Sequence, residues 1–133
     1  MTHHQLKYLL WSVVVGATLS LTACMKWDYG DAVEDFNATG AGLFITNEGN
    51  FQYGNASLSY YDPETKQVQN EVFFRANGMK LGDVAQSMTI YDNKGWVVVN
   101  NSHVIFAIDL NTFKEVGRIE NLTSPRYIHF LSD

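Results

Sequence analysis

The run Gly95-Trp-Val-Val-Val-Asn100, followed closely by Val104-Ile-Phe-Ala-Ile-Asp109, decides the fold class of this chain. Runs of β-branched and aromatic residues between polar turn residues are typical of strands. The tetrapeptide Asp92-Asn-Lys-Gly95 precedes the first run and has the composition of a hairpin turn, in which Gly95 can adopt a positive φ. The segment therefore predicts antiparallel strands joined by tight turns.

Similar short apolar runs occur along the rest of the chain from residue 42 onward. The strand candidates are Leu43–Thr46, Leu58–Tyr61, Glu71–Phe74, Ser87–Tyr91, Trp96–Val99, Val104–Ile108 and Val116–Ile119. Beyond the N-terminal region, no long stretch has the periodicity of an amphipathic helix. The sequence therefore predicts an all-β domain.

The strand segments repeat along the chain. Gly42–Asn47 aligns with Gly95–Asn100, and Leu58–Thr65 aligns with Ile105–Thr112. Repeats of about 40 residues with four strands each are typical of the blades of a β-propeller. The repeat therefore predicts a propeller, of which this chain carries two blades.

The repeat has two further features: an aspartate at the end of a strand in each blade, and a strand segment that recurs near the C-terminus. Asp62 and Asp109, which lie 47 residues apart, each close a strand and are expected to accept backbone N–H bonds in the following turn. The segment Ser87–Ile90 recurs at Arg126–His129, 39 residues later. This recurrence predicts the start of a third blade near the C-terminus.

The N-terminal region has the pattern of a secretory signal. Residues 1–23 contain no acidic residue, and the chain is uncharged from Tyr8 to Met25. The ending Leu21-Thr-Ala-Cys24 resembles the lipobox of bacterial lipoproteins, which implies that Cys24 carries a lipid anchor. The alternative is a transmembrane helix with an incidental cysteine. The predicted organisation is a signal peptide (1–23), a tether (24–41) and a partial propeller domain (42–133).

Composition excludes several classes of function. The chain has 133 residues and a net charge of −5, without a basic block, so it is a poor candidate for nucleic-acid binding. Its single cysteine excludes an internal disulfide and a four-cysteine zinc site. No motif with metal-ligand spacing, phosphate loop or nucleophile elbow occurs. We therefore predict no metal, no cofactor and no catalytic residue.

Several motifs together resemble one known family. These are Asn47-Glu-Gly-Asn50, Ala56–Asp62, Leu81–Gln86 and Ser124-Pro-Arg-Tyr-Ile128. They resemble the YncE-like (YVTN-repeat) β-propeller surface lipoproteins of Gram-negative gut anaerobes. Because those proteins are rings of about seven blades, the resemblance implies that this chain is an N-terminal fragment. It also implies lipid anchoring to the bacterial outer membrane, facing the cell surface.

The loops at one rim of the predicted propeller are the candidate ligand site. On the predicted strands they are 47–56, 75–86, 100–103 and 121–126, and they combine aromatic, amide and charged side chains that suit a small polar-aromatic ligand or a glycan. The predicted ligand-binding residues are Glu48, Asn50, Phe51, Tyr53, Arg75, Lys80, Asp83, Gln86, His103 and Arg126.

Three functions fit these observations. The first is a non-enzymatic surface lipoprotein that captures a ligand and assists its uptake through a TonB-dependent transporter. Some propeller lipoproteins that this chain resembles bind cobalamin or related corrinoids, which makes a corrinoid the specific ligand expected. The second is a propeller enzyme, such as a lactonase, a lyase or a quinoprotein-like dehydrogenase. The third is a structural or adhesive surface protein with a protein partner.

Overall fold

The computed structural model describes residues 41–131. The predicted signal peptide, the predicted lipid-bearing Cys24 and residues 25–40 of the predicted tether lie outside the described residues, as do residues 132–133.

The described residues form two antiparallel sheets. Sheet 1 has the strand order β1 (Leu43–Asn47), β2 (Ser57–Asp62) and β3 (Gln67–Gln69). Sheet 2 has the order β4 (Ala85–Tyr91), β5 (Lys94–Val99), β6 (Val104–Asp109) and β7 (Glu115–Ile119). The all-β class is therefore confirmed, and two consecutive meandering sheets are consistent with part of a propeller.

One predicted strand is wrong. Residues Glu71–Phe74 do not form a strand, because the chain forms a short helix, α1 (Val72–Asn77), between the two sheets. Val72 and Phe73 are both fully buried on the same element, whereas a strand would point adjacent side chains to opposite faces. The helix ends at Gly78, whose φ of 68° lets its N–H bond to the carbonyl of Phe74. The burial of both side chains in the core therefore overrides the strand preference of this segment.

The hairpin turn between β4 and β5 is present, but Gly95 has a different role from the one predicted. Asp92 and Asn93 adopt the positive φ angles, 49° and 54°, and form the two-residue turn. Gly95 lies inside β5, where a Cβ would come within 2.3 Å of the Met88 side chain. Glycine at residue 95 therefore allows close packing across the hairpin, and a larger residue would require the terminal methyl of Met88 to move.

Strand register shifts the alignment of the repeat by one residue. Phe44 lies opposite Tyr60, and Trp96 lies opposite Ala107, the residue equivalent to Tyr60. Leu43–Asn47 is therefore equivalent to Gly95–Val99, and the predicted alignment of Gly42–Asn47 with Gly95–Asn100 is wrong by one position. The difference matters because a shift of one residue moves a side chain to the other face of a sheet.

An aromatic cluster joins the two sheets. Phe113, from the β6–β7 turn, packs against Phe44 and Tyr60 of sheet 1, with ring centroids 5.7 and 5.4 Å away. Phe73 of α1 packs against Phe106 of β6 at 5.0 Å. These rings belong to one buried core with the aliphatic side chains of both sheets, which are Leu58, Val97, Val99 and Ile108.

The predicted turn function of the repeated aspartates is confirmed. Asp62 Oδ1 accepts the N–H groups of Glu64 and Thr65, at 2.8 and 3.3 Å. Asp109 Oδ1 accepts the N–H groups of Asn111 and Thr112, at 3.0 and 2.8 Å, and also the Thr112 hydroxyl at 2.9 Å. Both carboxylates therefore stabilise the turn that follows their strand, β2 or β6.

We expect Asp109 to make the stability of the protein depend on acid pH. The backbone N–H of Thr112, with further help from the Thr112 hydroxyl and the Asn111 N–H, holds the pKa of Asp109 below its ordinary value. A carboxyl whose folded pKa is lowered stabilises the protein above its unfolded pKa of about 3.9, and the contribution is lost as pH falls through the folded pKa. Asp109→Asn should therefore reduce stability near neutral pH and flatten its decline in acid.

Urea unfolding at neutral pH and at about pH 3 checks this expectation. Thr112→Val is the matched variant, because it removes the hydroxyl bond and keeps the backbone bonds. Its pH dependence should lie between those of the wild type and Asp109→Asn. An unchanged pH dependence in Asp109→Asn would contradict the prediction.

The chain after β7 runs along the face of sheet 2 that points away from sheet 1. The Asn100 side chain donates to the Pro125 carbonyl at 2.8 Å, and the Ser87 hydroxyl donates to the Arg126 carbonyl at 2.7 Å. Farther along, the ring of Phe130 stacks on that of Tyr91 at 4.1 Å. The segment 126–131 thus follows β4 along sheet 2, but it pairs with no strand among residues 41–131.

The segment 126–131 therefore lies where the start of a third blade is predicted, but it does not pair as a strand with any of residues 41–131. Val84, just before β4, and Ser124, just before this segment, both have a positive φ, 66° and 44°, and lie 40 residues apart. Along the segment Ile128 and Phe130 are half-buried, while the residues between and beside them are exposed. Val84 and Ser124 are thus 40 positions apart, close to the 39 of the predicted recurrence.

Candidate functional site

Three connections meet at one end of the two sheets, here called the rim end. They are the β1–β2 loop (48–56), the α1–β4 connection (78–84) and the β5–β6 loop (100–103). The backbone joins them directly: the Ala56 N–H donates to the Gly82 carbonyl at 3.0 Å, and the Asn100 N–H donates to the Val84 carbonyl at 2.8 Å. The loops of the rim end therefore form one connected surface.

Asp83 ties the same three loops together through its side chain. Its Oδ2 accepts the backbone N–H of Gln52 at 2.7 Å and the side-chain Nδ2 of Asn101 at 2.5 Å. Its own backbone N–H donates to the hydroxyl of Ser102 at 2.8 Å. Hydrogen bonds to an ionised carboxylate are stronger than those between neutral groups, so Asp83 fixes the relative positions of the loops.

The second carboxylate oxygen of Asp83, Oδ1, is a buried acceptor without a hydrogen bond among the described residues. Asp83 is only 8% exposed, and its Oδ1 is buried with no hydrogen-bond partner in the part of the chain that the structure describes. Buried polar atoms almost always have a partner. A donor brought to this oxygen would therefore be stabilised.

An open cavity of about 480 Å³ adjoins this centre. The side chains of Leu81, Val104 and Phe106 give it an apolar wall, and Ser102, which binds Asp83, lies on its lining. Polar and charged side chains complete the lining: His103, Arg118, Glu120 and Asn121. An apolar wall with a few polar groups around it is the usual make-up of a small-molecule site.

Arg118 supplies the positive charge of the cavity in a fixed position. Its guanidinium lies 5.0 Å from the centre of the Phe106 ring and makes two hydrogen bonds to Glu115, at 2.5 and 2.6 Å. These bonds, with a weaker contribution from Glu120, raise the pKa of Arg118 further above its ordinary value. The guanidinium is therefore a rigid, permanently charged group.

His103 connects the cavity to the chain after β7. Its Nδ1 accepts the backbone N–H of Ser124 at 3.2 Å, and its carbonyl accepts the N–H of Leu122 at 3.1 Å. In a neutral imidazole an accepting Nδ1 leaves the proton on Nε2. His103 is exposed and lines the cavity, and in this tautomer its Nε2 is the ring nitrogen that can donate.

Four of the predicted ligand-binding residues lie in the β1–β2 loop. Glu48 and Asn50 are exposed, and the Asn50 N–H bonds within the loop to the side chain of Asn55 at 2.8 Å. Phe51 and Tyr53 are 62% and 75% exposed, on either side of the residue that Asp83 holds. The structure thus places two large exposed rings on a loop anchored at its centre.

The remaining predicted residues are spread more widely. Asp83 and His103 lie at the rim end, and Gln86 is half-buried at an irregularity near the start of β4. Lys80 is exposed in the α1–β4 connection, and Arg126 is exposed on the segment that follows β7.

Arg75 lies toward the other end of the sheets. It belongs to the last turn of α1, which ends at Asn77. Asn77 binds the carbonyl of Phe113 and the N–H of Glu115, at 3.0 and 2.8 Å, beside the β6–β7 turn. Arg75 is therefore part of α1 and not of the rim-end loops.

Sequence reasoning missed several lining residues of the cavity. Ser102 and Asn121 were within the predicted loops, so loop membership was a usable signal for them. Arg118 lies in β7 and Glu120 directly follows it. Neither carries such a signal, because the packing of the sheets decides which strand residues reach the cavity.

Two other features are absent from residues 41–131. In that range, no three histidine, cysteine, aspartate or glutamate side chains are grouped so that they could hold a metal ion. Within the same residues, no helix is both long and apolar enough to cross a membrane.

Comparison with known proteins assigns the family. No curated protein matches the chain. The family described as a domain of unknown function, DUF5074, matches residues 41–132, which include both sheets, the rim-end loops and the segment after β7. The match covers well over half of the sequence, and the chain therefore belongs to the DUF5074 family.

Proposed function

We propose that the two sheets are consecutive blades of a YncE-like β-propeller, and that the protein is a lipid-anchored, non-enzymatic surface protein that binds a small ligand at the rim end. Support for the propeller comes from two successive antiparallel sheets that carry the same Asp-centred turn 47 residues apart. Support for the anchor comes from the resemblance of Leu21–Cys24 to a lipobox. By that resemblance the anchor sits in the bacterial outer membrane.

The observation that carries the binding function is the Asp83 centre beside the cavity. Three separate loops are held by one buried carboxylate, so the cavity wall is formed before any ligand arrives. A preformed site spends less of its binding energy on ordering loops. A buried carboxylate with an unpartnered oxygen is costly to keep for stability alone.

The chemistry of the cavity favours a ligand with an apolar body and amide-like edges. Phe106 and the aliphatic wall suit a ring system, while Arg118 and Asn121 suit carbonyl oxygens and His103 can donate from Nε2. Corrinoids combine a flat ring with amide side chains, and they are the ligands implied by the resemblance to propeller lipoproteins. A corrinoid exceeds about 480 Å³, so its projecting part would lie against exposed rings such as Phe51 and Tyr53.

In this proposal the protein passes its ligand to a TonB-dependent transporter. A lipid anchor keeps the protein close to such a transporter, and the 24–41 segment would act as its tether. The ligand class and the transporter rest on the family resemblance. The binding site itself rests on the geometry of the rim end.

Calorimetric titration of the full chain with cyanocobalamin tests the proposal. We expect saturable heat at micromolar concentrations, and we expect His103→Ala to raise the dissociation constant about five- to tenfold, since it removes one donor. Lys114→Ala is the control, because Lys114 is exposed in the β6–β7 turn away from the cavity. It should leave the affinity unchanged.

Two results would contradict parts of the proposal. The absence of heat with cyanocobalamin and with a corrinoid lacking the nucleotide loop would remove the corrinoid as ligand. Binding that is equally strong in His103→Ala and in the wild type would place the ligand elsewhere than in this cavity.

A further inference from the structure

We infer that the cavity beside the Asp83 centre admits ligands through neutral or cationic groups and disfavours carboxylates and phosphates, because Glu115 and Glu120 occupy the guanidinium of Arg118. The inference rests on the proposed function, since it concerns which ligands the same cavity accepts. It makes Glu115 a specificity-determining residue.

The first observation is that the donors of Arg118 are already engaged. Its Nε and Nη2 donate to the two carboxylate oxygens of Glu115 at 2.5 and 2.6 Å, and Nη2 also contacts Met79 Sδ at 3.8 Å. Its Nη1 donates to Glu120 Oε1 at 3.4 Å. Arginine grips a carboxylate or phosphate through two parallel N–H bonds. In this protein Glu115 takes that pair of bonds, so an anionic ligand would have to displace it.

The second observation is a β-bulge that brings the two side chains together. Residues three apart in a regular strand point to opposite faces of the sheet. In β7, however, Arg118 pairs with Phe106 and Glu115 pairs with Ile108, so that three steps along β7 match two steps along β6. The additional residue is Val116, and the bulge turns Glu115 to the face that carries Arg118. The local backbone thus directs this carboxylate to the guanidinium.

The Glu115–Arg118 pair is also held at both ends. The Glu115 side chain is only 17% exposed, and its backbone N–H donates to the side-chain oxygen of Asn77 at 2.8 Å. The guanidinium lies over the Phe106 ring, 5.0 Å from its centre. A two-bonded pair with fixed partners is more persistent than an exposed ion pair between mobile side chains. A ligand carboxylate would therefore compete poorly with Glu115.

The balance of charge at the cavity acts in the same direction. The positive charge of Arg118 stands against the two negative charges of Glu115 and Glu120. His103 adds no charge in the form in which its Nδ1 accepts the Ser124 N–H. The chain as a whole carries a net charge of −5. An anion that enters the cavity therefore meets an excess of negative charge, which repels it.

The remaining polar groups of the lining suit uncharged or positive groups. The amide of Asn121 and the hydroxyl of Ser102 can each donate and accept, as amides and hydroxyls of a ligand require. The carboxylate of Glu120 is 58% exposed and contacts Arg118 through one oxygen, so it can also accept from an ammonium or amidinium group. The ligand class that follows is an apolar body with amide or cationic edges.

Titration of the full chain with benzamide, benzamidine and benzoate tests the inference. The three probes share one ring and differ mainly in charge, and nuclear magnetic resonance follows the backbone amides of the lining residues Ser102 and Asn121. Benzamide and benzamidine should shift these signals at millimolar concentrations. Benzoate should bind at least about tenfold more weakly than benzamide, which corresponds to about 1.4 kcal/mol.

Two variants should reverse the preference. Glu115→Gln removes a negative charge and one of the two paired acceptors, so it should raise the affinity for benzoate at least about fivefold and lower that for benzamidine. Glu120→Gln should change both affinities in the same direction but less, because its bond to Arg118 is longer and more exposed. Glu64→Gln is the matched control, since Glu64 is an exposed residue between β2 and β3. It should leave the preference unchanged.

The outcomes separate this inference from the proposed function. Benzoate that binds the wild type as tightly as benzamide, or a preference that neither glutamate variant alters, would overturn the inference and leave ligand binding in the cavity intact. If none of the probes shifts the Ser102 and Asn121 signals in any of these proteins, the inference falls together with the binding function. Circular dichroism checks the fold of each variant, and the exposed position of Glu120 keeps the test decisive if Glu115→Gln does not fold.

Discussion

Asp83→Ala is expected to lower the free energy of unfolding by about 2–3 kcal/mol. The substitution removes the acceptor of the Gln52 N–H and of the Asn101 amide, and both bonds involve a carboxylate that is 8% exposed. The loss stays below the sum of two such bonds, because the buried Oδ1 without a partner already costs free energy in the wild type.

Asp83→Asn separates the hydrogen bonds from the charge. The remaining amide oxygen can still accept both donors, whereas the negative charge is gone and an NH2 group takes the place of the unpartnered oxygen. We therefore expect this variant to lose less than half of the stability that Asp83→Ala loses. Urea unfolding of the three proteins measures the difference.

Hydrogen exchange distinguishes a local effect from a global one. In Asp83→Ala the amide of Gln52 should exchange at least about tenfold faster, because the carboxylate that accepts its N–H is removed. Amides in the middle of β5 should follow only the change in global stability. Equal stability of Asp83→Ala and the wild type would show that the three loops are held by their backbone bonds alone.

Local chemistry made parts of this fold predictable. The turns at Asp62 and Asp109 are determined by a side chain and the two or three residues after it, so the sequence contained all the interacting groups. The strands β5 and β6 were predictable for a similar reason, since a run of β-branched residues favours a strand in any sheet.

Other parts depended on contacts between residues distant in sequence. The segment Val72–Phe74 has the composition of a strand, yet it is helical because the helix directs Val72 and Phe73 into the same core. Gly95 looked like a turn residue, but the side chain of Met88 across the hairpin determines its role. Neither contact is visible in the local sequence.

The candidate site also combines features that follow from the local sequence with features that depend on distant contacts. The β1–β2 and β5–β6 loops were predictable from where strands end, and Asp83 was among the residues identified. That Asp83 would bind Gln52 and Asn101, 31 and 18 residues away, follows only from the packing of the two sheets. For the same reason the cavity beside Ser102 and Arg118 could not be derived from loop composition.

Phe113→Ala is expected to have the largest effect of any single substitution considered, a loss of about 3–5 kcal/mol. Phe113 is completely buried and contacts both Phe44 and Tyr60, so its ring connects the β6–β7 turn with sheet 1. Its removal opens a cavity between the sheets. A domain of this size has a total stability of only about 5–15 kcal/mol, so the variant should be largely unfolded on modest warming.

Phe113→Leu is the matched variant for this prediction. Residue 113 has a φ of 56°, and leucine, alanine and phenylalanine all bear the same backbone strain there. The difference between Phe113→Leu and Phe113→Ala therefore reports packing volume and not backbone conformation. We expect Phe113→Leu to lose less than half as much stability, measured by thermal and urea unfolding.

A double-mutant cycle tests whether the aromatic contacts themselves join the sheets. Phe44→Leu and Phe113→Leu should be coupled by about 0.5–1.5 kcal/mol, since the two rings meet edge to face with centroids 5.7 Å apart. If the two losses are simply additive, Phe113 stabilises only its own turn and sheet 2. Coupling of the expected size means instead that sheet 1 and sheet 2 unfold as one cooperative unit, because a ring contact between them can contribute only while both are folded.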